Sequence, residues 1–135
     1  MRLLLVEDEP FIALDLELLL NSVGHEVVGV ADTHDAALEM ANETAPEAAL
    51  VDINLRDGFT GLKVGRALSG EMGCVVAFVT GNAEQVPGDF AGAVAVLEKP
   101  FTAQGVEEVA ALLQEMRAGA ARPPSLRYAR LPPRR

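Results

Sequence analysis

The chain of 135 residues has one cysteine, Cys74, and two histidines. An internal disulfide is excluded, and so thiol-poor a chain fits a reducing cytoplasm. A zinc site, which draws on Cys and His, lacks its ligands. Long apolar runs are missing too. Half of the residues are apolar, but they fall in short runs far below the roughly 18–20 residues that cross a bilayer. No basic-then-apolar leader precedes the first of these runs, so the sequence reads as cytoplasmic, with no membrane segment. Positive charge is scarce over most of the chain. Up to Arg117 there are 6 basic and 20 acidic residues, giving −14. A body of that sign repels nucleic acid and anionic membrane. The other five basic residues, Arg122, Arg127, Arg130, Arg134 and Arg135, follow in a Pro-rich tail that has no acids.

What the chain does have is a set of short apolar runs, each ending in a reactive residue. Arg2–Val6 leads into Glu7 and Asp8, Ala48–Val51 into Asp52, Cys74–Val79 into Thr80, and Val94–Glu98 into Lys99, Pro100 and Phe101. Runs of this kind read as buried parallel strands. Between them lie segments of helical period. Glu9–Val23 carries Phe11, Ile12, Leu14, Leu18, Leu19 and Val23 as its apolar stripe, with Pro10 in the first turn and Gly24 as a stop. Asp32 or Thr33 can cap a second helix that buries Ala36, Ala37 and Met40. Leu62–Leu68 is a short third helix. After Thr80 the chain is irregular through Pro87 and Gly88. The last helix is capped by Thr102 and buries Val106, Val109, Ala110 and Leu113, with Leu112 and Met116 widening the core face or serving as a dimer or partner face.

Five β-then-α units with right-handed crossovers predict an α/β fold. It is a doubly wound, five-stranded parallel sheet of flavodoxin-like type, in the order 2-1-3-4-5. The domain covers 1–118. The tail, 119–135, reads as poorly ordered, and three roles stay open for it: a solvated extension, a docking segment for an acidic partner, or a segment folding back on the −14 body. His25 and His34 read as surface residues, and Cys74 as inert packing.

This strand order brings Glu7, Asp8 and Asp52 together beyond the carboxyl ends of strands 1 and 3. Two carboxylates about 4 Å apart repel by roughly 4 kcal/mol at an effective dielectric near 20. Such a group must hold a proton or a cation. Oxygen donors without Cys or His select a hard ion, with Mg²⁺ the natural candidate. Asp8 and Asp52 are assigned as direct ligands, the Asn54 main-chain carbonyl as a third and Glu7 as a water-mediated one. With that charge neutralised, Asp52 can act as nucleophile and become an acyl phosphate. Lys99 and the Thr80 hydroxyl can then compensate phosphoryl oxygens, and Gly81 leaves room for the donor or water.

Val6-Glu7-Asp8-Glu9-Pro10, Val51-Asp52-Ile53-Asn54-Leu55, Val79-Thr80-Gly81 and Lys99-Pro100-Phe101 together resemble bacterial response-regulator receiver domains, the CheY-like family, over about residues 1–118. Phe78-Val79-Thr80-Gly81 resembles the FxTG variant of a single-domain subgroup. The resemblance implies a single-domain two-component response regulator, a signalling switch and not a true enzyme. A sensor histidine kinase or histidine phosphotransfer protein would phosphorylate Asp52. The receiver would then bind an output protein, relay phosphate or drain it, and a homodimer could form through the last helix.

Three departures from the family qualify this. Val96 stands where receivers usually carry Tyr or Phe. The loop after Asp52 lacks the common Met-Pro pair and is about one residue longer before Gly61. The segment Ala83–Ala91 is a poor helix, and phosphorylation is expected to act by ordering it. Two alternatives carry different chemistry. A haloacid-dehalogenase-type phosphatase needs an acid two residues after the nucleophile, where this chain has Asn54. A pseudo-receiver would bind partners without phosphorylation.

Overall fold

Five short apolar segments become the strands of one parallel sheet: β1 (Arg2–Val6), β2 (Glu26–Ala31), β3 (Ala48–Val51), β4 (Val75–Thr80) and β5 (Ala95–Glu98). Their order is β2-β1-β3-β4-β5, as the sequence predicts. The computed structural model describes residues 1–133; Arg134 and Arg135, counted in the expected tail, lie outside them. Successive side chains on a strand point to opposite faces, and this alternation makes two cores. Leu3, Leu5, Leu50, Val79 and Leu97 pack on one side of the sheet. Leu4, Val6, Val51, Val76, Phe78 and Val96 pack on the other. Full burial of a side chain of this size contributes about 1.5–3 kcal/mol. These strands are apolar on both faces because both faces are covered.

The covering helices are α1 (Pro10–Ser22) and α4 (Ala103–Arg117) on the first face, and α2 (His34–Thr44) and α3 (Gly61–Gly70) on the second. Thr33 caps α2, its hydroxyl accepting the Ala36 N–H at 3.2 Å, and Thr102 caps α4, accepting the Gly105 N–H at 3.1 Å. Both caps answer the expectation. Gly24, at φ +90°, ends the α1 segment in a conformation that suits glycine.

Four expectations need correction or choice. First, α1 faces the core through Ala13, Leu16 and Leu20, while Phe11, Leu14, Leu18 and Val23 of the predicted stripe are exposed, Phe11 at 87%. Helix α1 is apolar on two sides, so periodicity alone could not say which side is buried. Second, the fourth β-unit is not followed by a helix. Two single 3₁₀ turns, Ala83–Gln85 and Phe90–Gly92, stand there, in keeping with the poor helix expected of 83–91. This segment is already folded: Asp89 takes both terminal nitrogens of Arg66 at 3.1 and 3.2 Å and accepts the Ala91 N–H. Third, Leu112 is buried and Met116 packs on the same core, so both serve the wider core face.

Fourth, the tail is held against the body around residues 127–130. Arg130 forms an antiparallel bridge with Val96 on the outer edge of β5, and Ala129 is buried. Of the three roles left open, folding back on the body is the one observed.

Candidate functional site

β1 and β3 are hydrogen-bonded neighbours in the middle of the sheet, so Glu7, Asp8 and Asp52 emerge side by side where these strands end. One carboxylate oxygen from each lies within 4.8 Å of the others. Glu7 and Asp52 are buried and Asp8 is half-buried. Lys99, after β5, reaches across to both buried acids. Its Nζ donates to Glu7 Oε1 at 2.7 Å and to Asp52 Oδ2 at 2.8 Å. The Lys99–Pro100 peptide is cis.

The remaining lone pairs are partly used by the main chain. Glu7 Oε2 accepts the Glu9 N–H at 3.2 Å, and Asp52 Oδ1 accepts the Asn54 N–H at 3.3 Å. Thr80 ends β4 fully buried. Its hydroxyl oxygen accepts the Asn82 N–H at 3.0 Å, and its carbonyl accepts the Lys99 N–H at 2.9 Å, tying the Thr and Lys strand ends together. The six residues read from the sequence, Glu7, Asp8, Asp52, Asn54, Thr80 and Lys99, thus all lie at the carboxyl edge of one sheet. Glu7, Asp8, Asp52 and Lys99 form one cluster there, which Asn54 joins through its N–H.

The electrostatics follow from two buried carboxylates, Glu7 and Asp52, sharing one ammonium, with the Asp8 carboxylate beside them. Burial, aided by repulsion from Asp52, outweighs the bond from Lys99 and pushes the Glu7 carboxyl up from 4.5 to about 7. Burial pulls the Lys99 ammonium down, but its bonds to Asp52 and Glu7 overcome this and hold it above its ordinary value. A cluster with more acid than base, built from oxygen donors, could hold a hard divalent cation.

The loop from Asp52 to α3 returns almost to its origin. The Gly61 N–H donates to the Ile53 carbonyl at 2.9 Å, while Leu55 and Gly58 exchange main-chain bonds at 2.8 and 3.0 Å. A Cβ at Gly61 would fall on the Asp52 carbonyl oxygen, which is why no larger residue fits that close approach. On the other side of the cluster, Ile12, Asp15, Lys99, Pro100 and Phe101 line an open hollow. Sequence reasoning did not single out Ile12, Asp15 or Phe101 as lining a hollow beside Lys99. The surplus apolar residues of α1 were the available signal.

Residues 3–111 match the family described as response regulator receiver domain. The chain belongs to that family. The receiver is 38% identical over 110 residues to the phyllosphere-induced regulator PhyR of Methylorubrum extorquens, covering 80% of this chain and 41% of that protein. It is 30% identical over 110 residues to the chemotaxis protein CheY of Bacillus subtilis, covering 79% of this chain and 92% of CheY. Among solved structures, the PhyR receiver domain of Erythrobacter litoralis superposes with a TM-score of 0.76 at 29% identity, covering 93% of this chain and 95% of that one. The receiver spans about half the length, or less, of the first curated relatives it matches. Membership of this family displaces the dehalogenase-type phosphatase reading.

The remaining single residues agree with their plainer readings. Val96 is buried in the core. Cys74 is buried, its thiol donates to the Pro46 carbonyl, and burial pushes its pKa up, so it stays a protonated packing group. His25 sits beside the N-terminal amine, and burial with that charge lowers its pKa. Among the described residues no helix is long and apolar enough to cross a membrane.

Proposed function

We propose that this receiver is a phospho-acceptor switch whose Asp52 takes a phosphoryl group from a histidine kinase or histidine phosphotransfer protein. The observation that carries it is Lys99 bridging Glu7 and Asp52, which sets a cation beside the acceptor carboxylate before any phosphate arrives. Attack by an Asp52 oxygen forms the P–O bond as the P–N bond to the donor imidazole breaks, and the leaving ring nitrogen keeps the electron pair and takes up a proton. Lys99 then pairs with a phosphoryl oxygen. The Thr80 hydroxyl, which carries its own proton while accepting from Asn82, can donate to another. Asp8, Asp52, the Asn54 carbonyl and, through water, Glu7 are the residues that would hold Mg²⁺. Their oxygen-only donor set and excess negative charge fit it. The bound ion supplies the positive charge that lets an anionic donor approach.

The outward Phe11, Leu14 and Leu18 of α1 lie on the helix that starts next to this cluster, and they offer a phosphodonor an apolar surface. An output protein is the expected target of the switch; a structure of PhyR from Bartonella quintana is described as an anti-anti-sigma factor. The receiver itself is then a signalling element in the cytoplasm, catalysing only its own phosphorylation and dephosphorylation.

The test is intact mass after treatment with acetyl phosphate and Mg²⁺, alongside Asp52→Asn. One added phosphate, dependent on Mg²⁺ and missing in the variant, is expected. Equal incorporation by Asp52→Asn would place the acceptor elsewhere.

A further inference from the structure

β5 is an edge strand. β4 takes one side of it, and the main-chain groups of the other side are available to any extended chain. Here Arg130, within a held segment 126–131, uses them at Val96. The Val96 N–H donates to the Arg130 carbonyl at 3.0 Å, and the Arg130 N–H returns a bond to the Val96 carbonyl at 2.8 Å. The Arg130 guanidinium pairs with Glu98. One turn away, Glu108 of α4 accepts three consecutive main-chain N–H groups, from Arg127 at 2.7 Å, Tyr128 at 3.0 Å and Ala129 at 2.9 Å. The body therefore reads this segment mainly through its backbone and one arginine, and little of that reading depends on whose backbone it is.

The fit is also incomplete. Only one residue pair bridges to β5. Beneath the tail a cavity of about 100 Å³, lined by Leu112, Met116, Pro123 and Leu131 among others, remains unfilled. Arg122 Nε is buried at this place without a hydrogen-bond partner among the described residues. A segment paired with β5 at a single residue, beside a hollow it does not fill, is exchangeable.

We propose that the outer edge of β5, with Glu98, Glu108 and the hollow beside Leu112 and Met116, is a binding site for an extended arginine-bearing segment of a partner protein, and that residues 126–131 are a tethered internal ligand occupying it. The partner segment runs antiparallel to β5, as strand-adding peptides do. It places a cation opposite Glu98 and a small residue where Ala129 is buried. It also sends a bulkier apolar side chain than Leu131 into the hollow. The tethered tail competes at an effective concentration on the order of millimolar, so the site opens only to a segment that outbinds it. This reading is independent of phosphorylation at Asp52.

The experiment uses the full chain with Arg130→Pro, which removes the N–H donated to Val96 and the cation on Glu98. The probe is a fluorescein-labelled peptide of residues 124–133. It is expected to bind the variant at least tenfold more tightly than the wild type, whose own tail competes. Adding Glu98→Lys to the variant should lower this affinity at least tenfold, and a peptide with Glu in place of Arg130 should recover it. Tyr128 is the only tyrosine and there is no tryptophan, so its anisotropy in the unlabelled chain reports release of the tail directly. Equal binding to wild type and variant, or indifference to Glu98→Lys, would overturn the proposal. So would a Tyr128 signal unmoved when Arg130→Pro is combined with Glu108→Ala, which together remove the main-chain ties to Val96 and to Glu108.

Discussion

Replacing Lys99 by methionine keeps most of the aliphatic stem and removes the one cation shared by Glu7 and Asp52. The side chains of these acids are 2% and 8% exposed, and that of Lys99 is 16% exposed. Stripping the partner from a buried charge costs about 3–5 kcal/mol. That figure is too large here, because Glu7, already at about 7, can take a proton at little further cost and leave Asp52 as the single stranded charge. A loss of about 2–3 kcal/mol at pH 7.5 without divalent ions is therefore expected. For a chain of this size that lowers the melting temperature by about 6–12 °C.

Two further arms follow from the same geometry. At pH 5.5 Glu7 is protonated in wild type and variant alike, so the gap between them narrows. Added Mg²⁺ replaces the missing positive charge, and it should raise the melting temperature of Lys99→Met more than that of the wild type. Thermal melts followed by circular dichroism, at two pH values with and without Mg²⁺, decide the matter. A variant that melts within 1–2 °C of wild type in the absence of Mg²⁺ at pH 7.5 would refute the view that Lys99 is the compensating charge of this cluster.

Leu16→Ala should cost about 2–5 kcal/mol in urea unfolding, as a core truncation does, while Leu14→Ala on the outward face of α1 should stay within about 0.5 kcal/mol; equal losses would mean the helix is turned the other way. Gly61→Ala drives a methyl group into the Asp52 carbonyl and should both destabilise the fold and slow phosphate incorporation, whereas a fully stable, fully active variant would contradict that contact. The Glu7 carboxyl sits above its ordinary value, so the folded state holds this proton more tightly than the unfolded state. Its contribution to stability is complete below about pH 4.5 and is lost as pH rises to about 7. Glu7→Gln should therefore flatten stability against pH across that window, and an unchanged slope would assign the effect to another group.

The sheet order and the clustering of Glu7, Asp52 and Lys99 were legible because each strand is a short apolar run bounded by the polar residue it delivers. Two principles, burial on both faces and ligands at the carboxyl edge, were enough to bring them together. Helix α1 was misread because it carries more apolar surface than one core face requires. Phe11, Leu14 and Leu18 mark one apolar side in any count of hydrophobic positions, yet Ala13, Leu16 and Leu20 on the other are the ones buried. Which of the tail's open roles holds was not legible, for a different reason. Its Pro and Arg content is that of a solvated segment, but what holds it is main-chain pairing with Val96 and the Glu108 carboxylate some 20 residues away in sequence, and composition carries no trace of either. The missing helix after β4 was foreseeable from Pro87 and Gly88; the bidentate Arg66–Asp89 contact that shapes the segment was not.

The return of the loop after Asp52 has a bearing on engineering. Its two ends are pinned to each other at Ile53 and Gly61, and a second cross-tie between Leu55 and Gly58 closes off the outer part. Because the cost of closing a loop grows only slowly with its length, residues can be added beyond that tie without moving the strand end that carries the acceptor. Arg56 and Asp57, both exposed, are the residues beyond it. A fluorophore-bearing or epitope insert between them would ride on a ring anchored one hydrogen bond from Asp52, close enough to sense the charge arriving there while leaving the register of the sheet alone.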